Sequence, residues 1–240
     1  MKPVIGITSY IKKDVFRSFS QVGYEYIDKI EKAGGIPLIL PVLQKYGLEE
    51  LDKIVYHVDG IVFTGGSNIN SSWYGEDSVE EQNEEDNIRD KFEKDLFITA
   101  KRNKKPMLGI CRGCQLINVM QNGSLIQKID NEINTNVCHK GKGQKIYDME
   151  HEVCFDKDSD LKKIYNSDKI LVNSFHEQCI KHLGENLKIT ARCCEDGIPE
   201  AIEYQGDFYM IGIQWHPEAF EDQMKLFNKF VETCVKSSNS

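Results

Sequence analysis

The stretch Leu108-Gly-Ile-Cys-Arg-Gly-Cys-Gln115 decides how the chain is read. An apolar run over residues 106–110 stops at Cys111. Glycines stand two residues to either side of that cysteine, and Cys114 follows three positions later. Three readings are open: a nucleophile on a tight turn, a redox or metal Cys-x-x-Cys pair, or a strand end that contains thiols. Gly-x-Cys-x-Gly has the form of a nucleophile elbow with cysteine in place of serine. So sharp a strand-to-helix turn strains its central residue, and it needs small neighbours because the strand and helix backbones come close. The thiol then stands above the sheet at a helix N-terminus, where the dipole and free N–H groups favour a thiolate. An ordinary buried cysteine on a βα turn would carry the same glycine bracket.

The flanking sequence supplies the frame. Short apolar strands are expected at 4–8, 36–40, 60–64 and 106–110. Helices are expected at 21–33, 48–56 and from Cys114 to Met120, and another carries Phe92, Leu96 and Ala100 on one side and ends in the basic run Lys101–Lys105. Residues 75–87 are acidic and aperiodic, which reads as a solvated loop with Asp86 or Asn87 capping the helix after it. Alternation of strand and helix implies an α/β fold: a mostly parallel central sheet flanked by helices, flavodoxin-like. Beyond Asn131 the texture changes to strands at 151–155, 169–173, 187–192, 200–204 and 208–214, extending the sheet with antiparallel members, and a C-terminal helix runs from Glu221 to about Lys236. No linker or repeat interrupts the 240 residues, so one domain over 1–240 is expected, with 236–240 as a disordered tail.

Composition narrows the function. Thirty Lys and Arg against 38 Asp and Glu leave a formal charge of −8, which repels nucleic acid. No apolar run approaches the ~18 residues of a membrane helix, and the N-terminus is too short in its apolar part for a secretory signal. A cytoplasmic protein with mostly reduced cysteines is expected.

A cysteine nucleophile needs a base and an orienting acid. His216 lies in Gln214-Trp-His-Pro-Glu218, directly after an apolar strand, and Glu218 is two residues on with a proline stiffening the link. Zinc at Cys111-x-x-Cys114 would need a second ligand pair, and Cys193-Cys194 is adjacent rather than spaced. No metal site is therefore assigned. His57, His139, His151 and His182 read as surface or hydrogen-bonded residues, and Trp73-Tyr74 as a loop anchor.

The motifs "GICRGCQ", "GIQWHPE" and "DGIVFTGG" together resemble those of class I glutamine amidotransferases. "AGGIPLILP", "WYGE", "RDKFE" and "VNSFHEQ" resemble more closely the gamma-glutamyl hydrolase branch that includes gamma-glutamyl-gamma-aminobutyrate hydrolase. The resemblance spans about residues 3–230. It implies Cys111 as nucleophile, His216 as base and Glu218 as third member of a triad. It implies the N–H groups of Gly66 and Arg112 as an oxyanion hole, and Gln115, Ser174, Phe175 and His176 as substrate contacts. It further implies a small gamma-glutamyl amine as substrate, a role in polyamine catabolism, no cofactor, and a homodimer as a plausible assembly. Asn68 and Asn70 stand where the family often has acids, Asn122-Gly123 replaces a Gly-Gly, and Cys114 replaces Met or Leu. Rival readings are a glutaminase subunit that hands ammonia to a separate synthase, and a silent or redox-responsive binding protein using Cys111 and Cys114.

Overall fold

The computed structural model describes residues 1–79, 82–140 and 148–237. The first half alternates as its apolar pattern requires: β1 (Val4–Thr8), α1 (Tyr24–Lys32), β4 (Ile36–Leu40), α2 (Leu48–Tyr56), β5 (Gly60–Phe63), α3 (Glu84–Arg102), β6 (Met107–Ile110) and α4 (Arg112–Met120). Between β1 and α1 lies a hairpin of β2 (Tyr10–Lys13) and β3 (Ser18–Gln21), in a stretch to which the sequence assigned no element before the helix expected from Gln21. Asn83, rather than Asp86 or Asn87, caps α3: its side chain accepts the backbone N–H of Asp86 at 2.8 Å.

The second half holds β7 (Ser124–Ile126), α5 (Ile129–Glu132), β8 (Met149–Phe155), α6 (Asp160–Tyr165), β9 (Lys169–Asn173), β10 (Cys179–His182), β11 (Leu187–Cys193), β12 (Pro199–Tyr204), β13 (Met210–Ile213) and α7 (Met224–Ser237). Of the expected tail, Lys236 and Ser237 belong to α7, and the remainder lies outside the described residues.

Nine strands form the central sheet in the order β4-β1-β5-β6-β13-β12-β11-β8-β9. From β4 to β13 every pairing is parallel, and from β13 to β9 every pairing is antiparallel. This is the expected mixed α/β architecture. One face packs on α1 and α7 through residues such as Ile30, Phe227 and Phe230, and the other on α2, α3 and α4 through Leu51, Phe92, Leu96 and Ile117. The buried face of each helix stabilises by about 1.5–3 kcal/mol per large apolar side chain.

The register of β13 positions the site. Because β13 pairs parallel with β6 and Ile213 lies beside Ile110, the two strands end level. The chain leaving β6 as Cys111 meets the chain leaving β13 as Gln214, and the Cys111 N–H bonds the Ile213 carbonyl at 2.7 Å. The carboxyl ends of parallel strands are where open α/β sheets place their clefts.

Among the described residues no helix is long and apolar enough to cross a membrane. Cys154 and Cys194 form a disulfide, and the other six cysteines are free, in keeping with mostly reduced cysteines. The pairing of β8 with β11 brings their strand ends together.

Candidate active site

Cys111 has φ 52° and ψ −105°, a backbone conformation that L residues rarely adopt. Holding a non-glycine residue there costs of order 1–3 kcal/mol and requires packing on all sides. The bracketing glycines show why. A Cβ on Gly109 would lie 2.4 Å from the Gly113 carbonyl oxygen, and one on Gly113 would lie 2.1 Å from that of Phe63. Strand and helix backbones therefore touch, as the motif requires. Arg112 is the first residue of α4, so its N–H has no carbonyl one turn below it to bond.

His216 and Cys111 flank one glycine. A Cβ on Gly65 would lie 2.9 Å from Cε1 of His216 and 3.6 Å from Cβ of Cys111. His216 Nδ1 bonds the Glu218 carboxylate at 2.7 Å, and its Nε2 has no hydrogen-bond partner among the described residues. Burial works against a charge on this imidazole. The Glu218 carboxylate and the neighbouring Cys111 outweigh burial and hold its pKa well above the usual histidine value. The loop bearing His216 is pinned by Asn173, whose side chain accepts the His216 N–H at 3.0 Å and donates to its carbonyl at 3.1 Å.

Gly66 has φ 154°, and a Cβ there would lie 2.1 Å from Nη1 of Arg89, so the position accepts only glycine. Behind it lies a buried ionic cluster. Arg112 is ion-paired with Asp90 and Glu93, and Nε of Arg89 bonds Glu93 at 3.0 Å. Arg89 also donates to the Thr64 carbonyl at 3.0 Å, which fixes the strand end that leads into Gly65-Gly66. Burial pushes the Glu93 carboxyl up, but Arg112 and Arg89 prevail and hold it below the ordinary carboxylate value.

A cavity of about 660 Å³ opens over these groups, lined by Cys111, His216, Gly65 and Gly66 among others. Of the four expected substrate contacts, Gln115, Phe175 and His176 line it, and Ser174 does not. Ser174 is turned away, donating its hydroxyl to the His139 carbonyl at 2.9 Å. Gln115 Nε2 is already committed, to the Gln178 carbonyl at 3.1 Å and Gln214 Oε1 at 3.2 Å. Asn68 lines the cavity, whereas Asn70 caps the short turn at 71–74. Trp73 and Tyr74 pack against the core beneath α3, as a loop anchor would.

The sequence reading missed two neighbours. Tyr26, assigned only to an apolar helix face, accepts the Gly65 N–H through its hydroxyl at 3.1 Å and lines the cavity. Gln214 directs Nε2 at Cys111 Sγ, 3.7 Å away. Its place directly before Trp215-His216, level with the elbow, is the signal that marks it. Cys114 is fully buried under the elbow, and burial pushes its thiol pKa well up, as suits a packed residue.

A cysteine elbow facing a histidine–carboxylate pair at the parallel end of such a sheet defines the class I glutamine amidotransferase-like proteins. Residues 3–218 match the Peptidase C26 family model, and the chain belongs to that family, whose members are amide hydrolases. It is 38% identical over 230 residues to a Schizosaccharomyces pombe protein named as a candidate glutamine amidotransferase, covering 92% of this chain and 87% of that one. It is 28% identical over 245 residues to the gamma-glutamyl-gamma-aminobutyrate hydrolase PuuD of Escherichia coli K12, covering 97% and 93%. The fold matches the glutaminase domain of Trypanosoma brucei CTPS with a TM-score of 0.63 at 18% identity, over 98% of this chain and 94% of that one.

Proposed function

We propose that the protein is a cysteine-dependent hydrolase that cleaves the gamma-glutamyl amide bond of a small gamma-glutamyl amine. Cys111 acts as nucleophile, His216 as general acid and base, and Glu218 as its orienter. The observation that carries this reading is the strained φ of Cys111 at a helix N-terminus, with the Glu218-bound imidazole of His216 across Gly65 from it.

The chemistry follows from the protonation state. The raised pKa of His216 supports an imidazolium, and in the proposed reaction Cys111 attacks as a thiolate. The thiolate attacks the side-chain carbonyl carbon, forming a C–S bond and an oxyanion between the N–H groups of Gly66 and Arg112. Each such donor typically contributes about 3–4 kcal/mol to the transition state. Collapse of the intermediate breaks the C–N bond, and His216 gives its proton to the departing amine. A gamma-glutamyl thioester remains. His216, now neutral, takes a proton from water as the water adds to the thioester. The C–S bond breaks, glutamate leaves, and the thiolate–imidazolium pair is restored. Glu218 keeps Nδ1–H engaged throughout, so Nε2 is the nitrogen that shuttles the proton.

The test is a panel of gamma-glutamyl amines, glutamine and polyglutamyl compounds, read by glutamate release from the isolated protein. Release from gamma-glutamyl amines, lost in Cys111→Ala, is expected. Release from glutamine alone would replace the reading with an ammonia-supplying glutaminase.

A further inference from the structure

A second cluster of buried ionisable groups lies beside the site and takes no part in the chemistry above. Three histidines converge on one carboxylate oxygen, Oε1 of Glu200. His151 Nε2 lies 3.1 Å from it, His139 Nδ1 3.5 Å and His176 Nε2 3.6 Å. All four residues are at least 95% buried. The residues come from β8, β12 and the segments bearing His139 and His176, so no local motif assembles them.

Hydrogen-bond bookkeeping leaves this cluster short of protons. His176 Nδ1 bonds the Gln178 carbonyl at 2.9 Å, and a carbonyl only accepts, so the proton is on Nδ1. His139 Nε2 bonds the Asp196 carboxylate at 2.9 Å and carries its proton there. In the neutral imidazoles, His176 Nε2 and His139 Nδ1 are then lone pairs turned towards an anionic oxygen. Neither atom has a hydrogen-bond partner among the described residues, and neither does Glu200 Oε2. Unpaired acceptors buried against a carboxylate are costly unless a proton or a metal cation sits between them.

The spacing suits a cation. His139, His151 and Glu200 place one ligand atom each within 4.8 Å of one another. Tetrahedral ligands at zinc–nitrogen distances of about 2.0–2.1 Å stand about 3.4 Å apart. Two outer contacts fit as well. A metal-bound imidazole usually donates its other N–H to a carboxylate or a backbone carbonyl, and His139 donates to Asp196 and His176 to Gln178, whereas His151 Nδ1 has no partner among the described residues.

We propose that His139 Nδ1, His151 Nε2 and Glu200 form a binding site for a divalent transition-metal ion of the zinc type, with His176 Nε2 against the same carboxylate. The site is structural. It lies outside the thiolate chemistry and approaches the cavity through His176, which lines the cavity and has Nε2 3.6 Å from the Glu200 carboxylate. The assignment does not depend on which amide the enzyme cleaves.

The test loads the full-length protein with zinc, dialyses it against metal-free buffer, and measures metal content and thermal midpoint. About one zinc per chain is expected, together with a midpoint that falls by several degrees on chelation. Glu200→Gln and His151→Asn lose the zinc and the chelator response. Cys111→Ala keeps both, which separates this site from a cation held by the nucleophile and His216. Cys193→Ser also keeps both, which separates it from the neighbouring donors His139 Nε2, Cys193 and Asp196. Wild-type protein that retains less than about a tenth of a zinc per chain overturns the proposal, and so does zinc lost with Cys111→Ala or Cys193→Ser.

Discussion

Two buried charged clusters adjoin the elbow, and they are built on opposite plans. Arg89, Asp90, Glu93 and Arg112 pair two permanent cations with two carboxylates. The other cluster sets Glu200 and Asp196 among three histidines, which are cations only when protonated. Burial pushes the His176 pKa down, whereas at His139 burial is outweighed by Glu200 and Asp196, which raise its pKa. The first cluster balances its own charge and serves as a fixed support for the backbone leading into Gly65-Gly66. The second is left with acceptors that need a further positive charge. A protein buries charge at a site either to hold a shape or to hold something else, and balance of charge distinguishes the two.

The largest effect is expected from breaking the balanced cluster. Arg112→Met leaves Asp90 and Glu93 with one buried cation between them. It should cost about 3–5 kcal/mol of unfolding free energy, measured by urea denaturation. The exposed pair Lys104–Asp207 provides the contrast, since Asp207→Asn should leave the urea midpoint close to that of the wild type. Equal losses from the two substitutions would mean that the buried cluster carries no special structural weight.

The same cluster predicts a pH response. Glu93 is held below the ordinary carboxylate value, so its contribution is fully present above that value, about 4.3. The contribution is lost as pH falls through the lower folded-state pKa, where the native carboxylate must at last take a proton. Urea midpoints of the wild type should therefore decline below about pH 4, and those of Arg112→Met should decline less steeply. Parallel pH curves for the two proteins would contradict this.

Across the cavity, Glu218→Gln removes the carboxylate that raises the His216 pKa. An imidazolium stabilised in this way persists below its raised pKa and is lost as pH rises through it. The basic limb of kcat/KM should therefore move to lower pH in Glu218→Gln, with the maximal rate down by about 10²-fold or more. An unmoved basic limb would show that Glu218 does not set the charge on His216.

Cys114 should give the smallest effect. It is packed beneath the elbow, so Cys114→Ala should cost about 1 kcal/mol and leave turnover within about threefold of wild type. Intact mass under mild oxidant should show no Cys111–Cys114 disulfide. Loss of two hydrogens that requires Cys114 would revive the redox reading.

How far these features could be read beforehand depended on whether one segment carried them. The elbow was legible because a glycine at either side of Cys111 is a steric requirement of the turn. β1, β4 and β9 were legible as apolar runs with clear stops. The β2–β3 hairpin was not, since its four-residue strands are polar and run into the helical pattern of α1. The ionic cluster was hidden because Arg89, Asp90 and Glu93 look like the solvated face of a long helix, and burial comes from the approach of α4 and of the loop after β5. His139 and His151 were expected to be surface or hydrogen-bonded. They are buried, and only tertiary pairing sets them beside Glu200, whereas His57 and His182 are exposed. Tyr26 escaped for a related reason: an aromatic at helical spacing reads as core, and its hydroxyl gains a role only when Gly65 arrives.

The most direct test of Cys111 as nucleophile is rapid-quench intact-mass spectrometry during turnover of a gamma-glutamyl amine, with glutamate measured in the same samples. The expected result is a transient gamma-glutamyl adduct on Cys111 that forms and decays in step with glutamate release and is missing, along with the release, in Cys111→Ala. Undiminished glutamate release by Cys111→Ala would contradict the proposed mechanism outright.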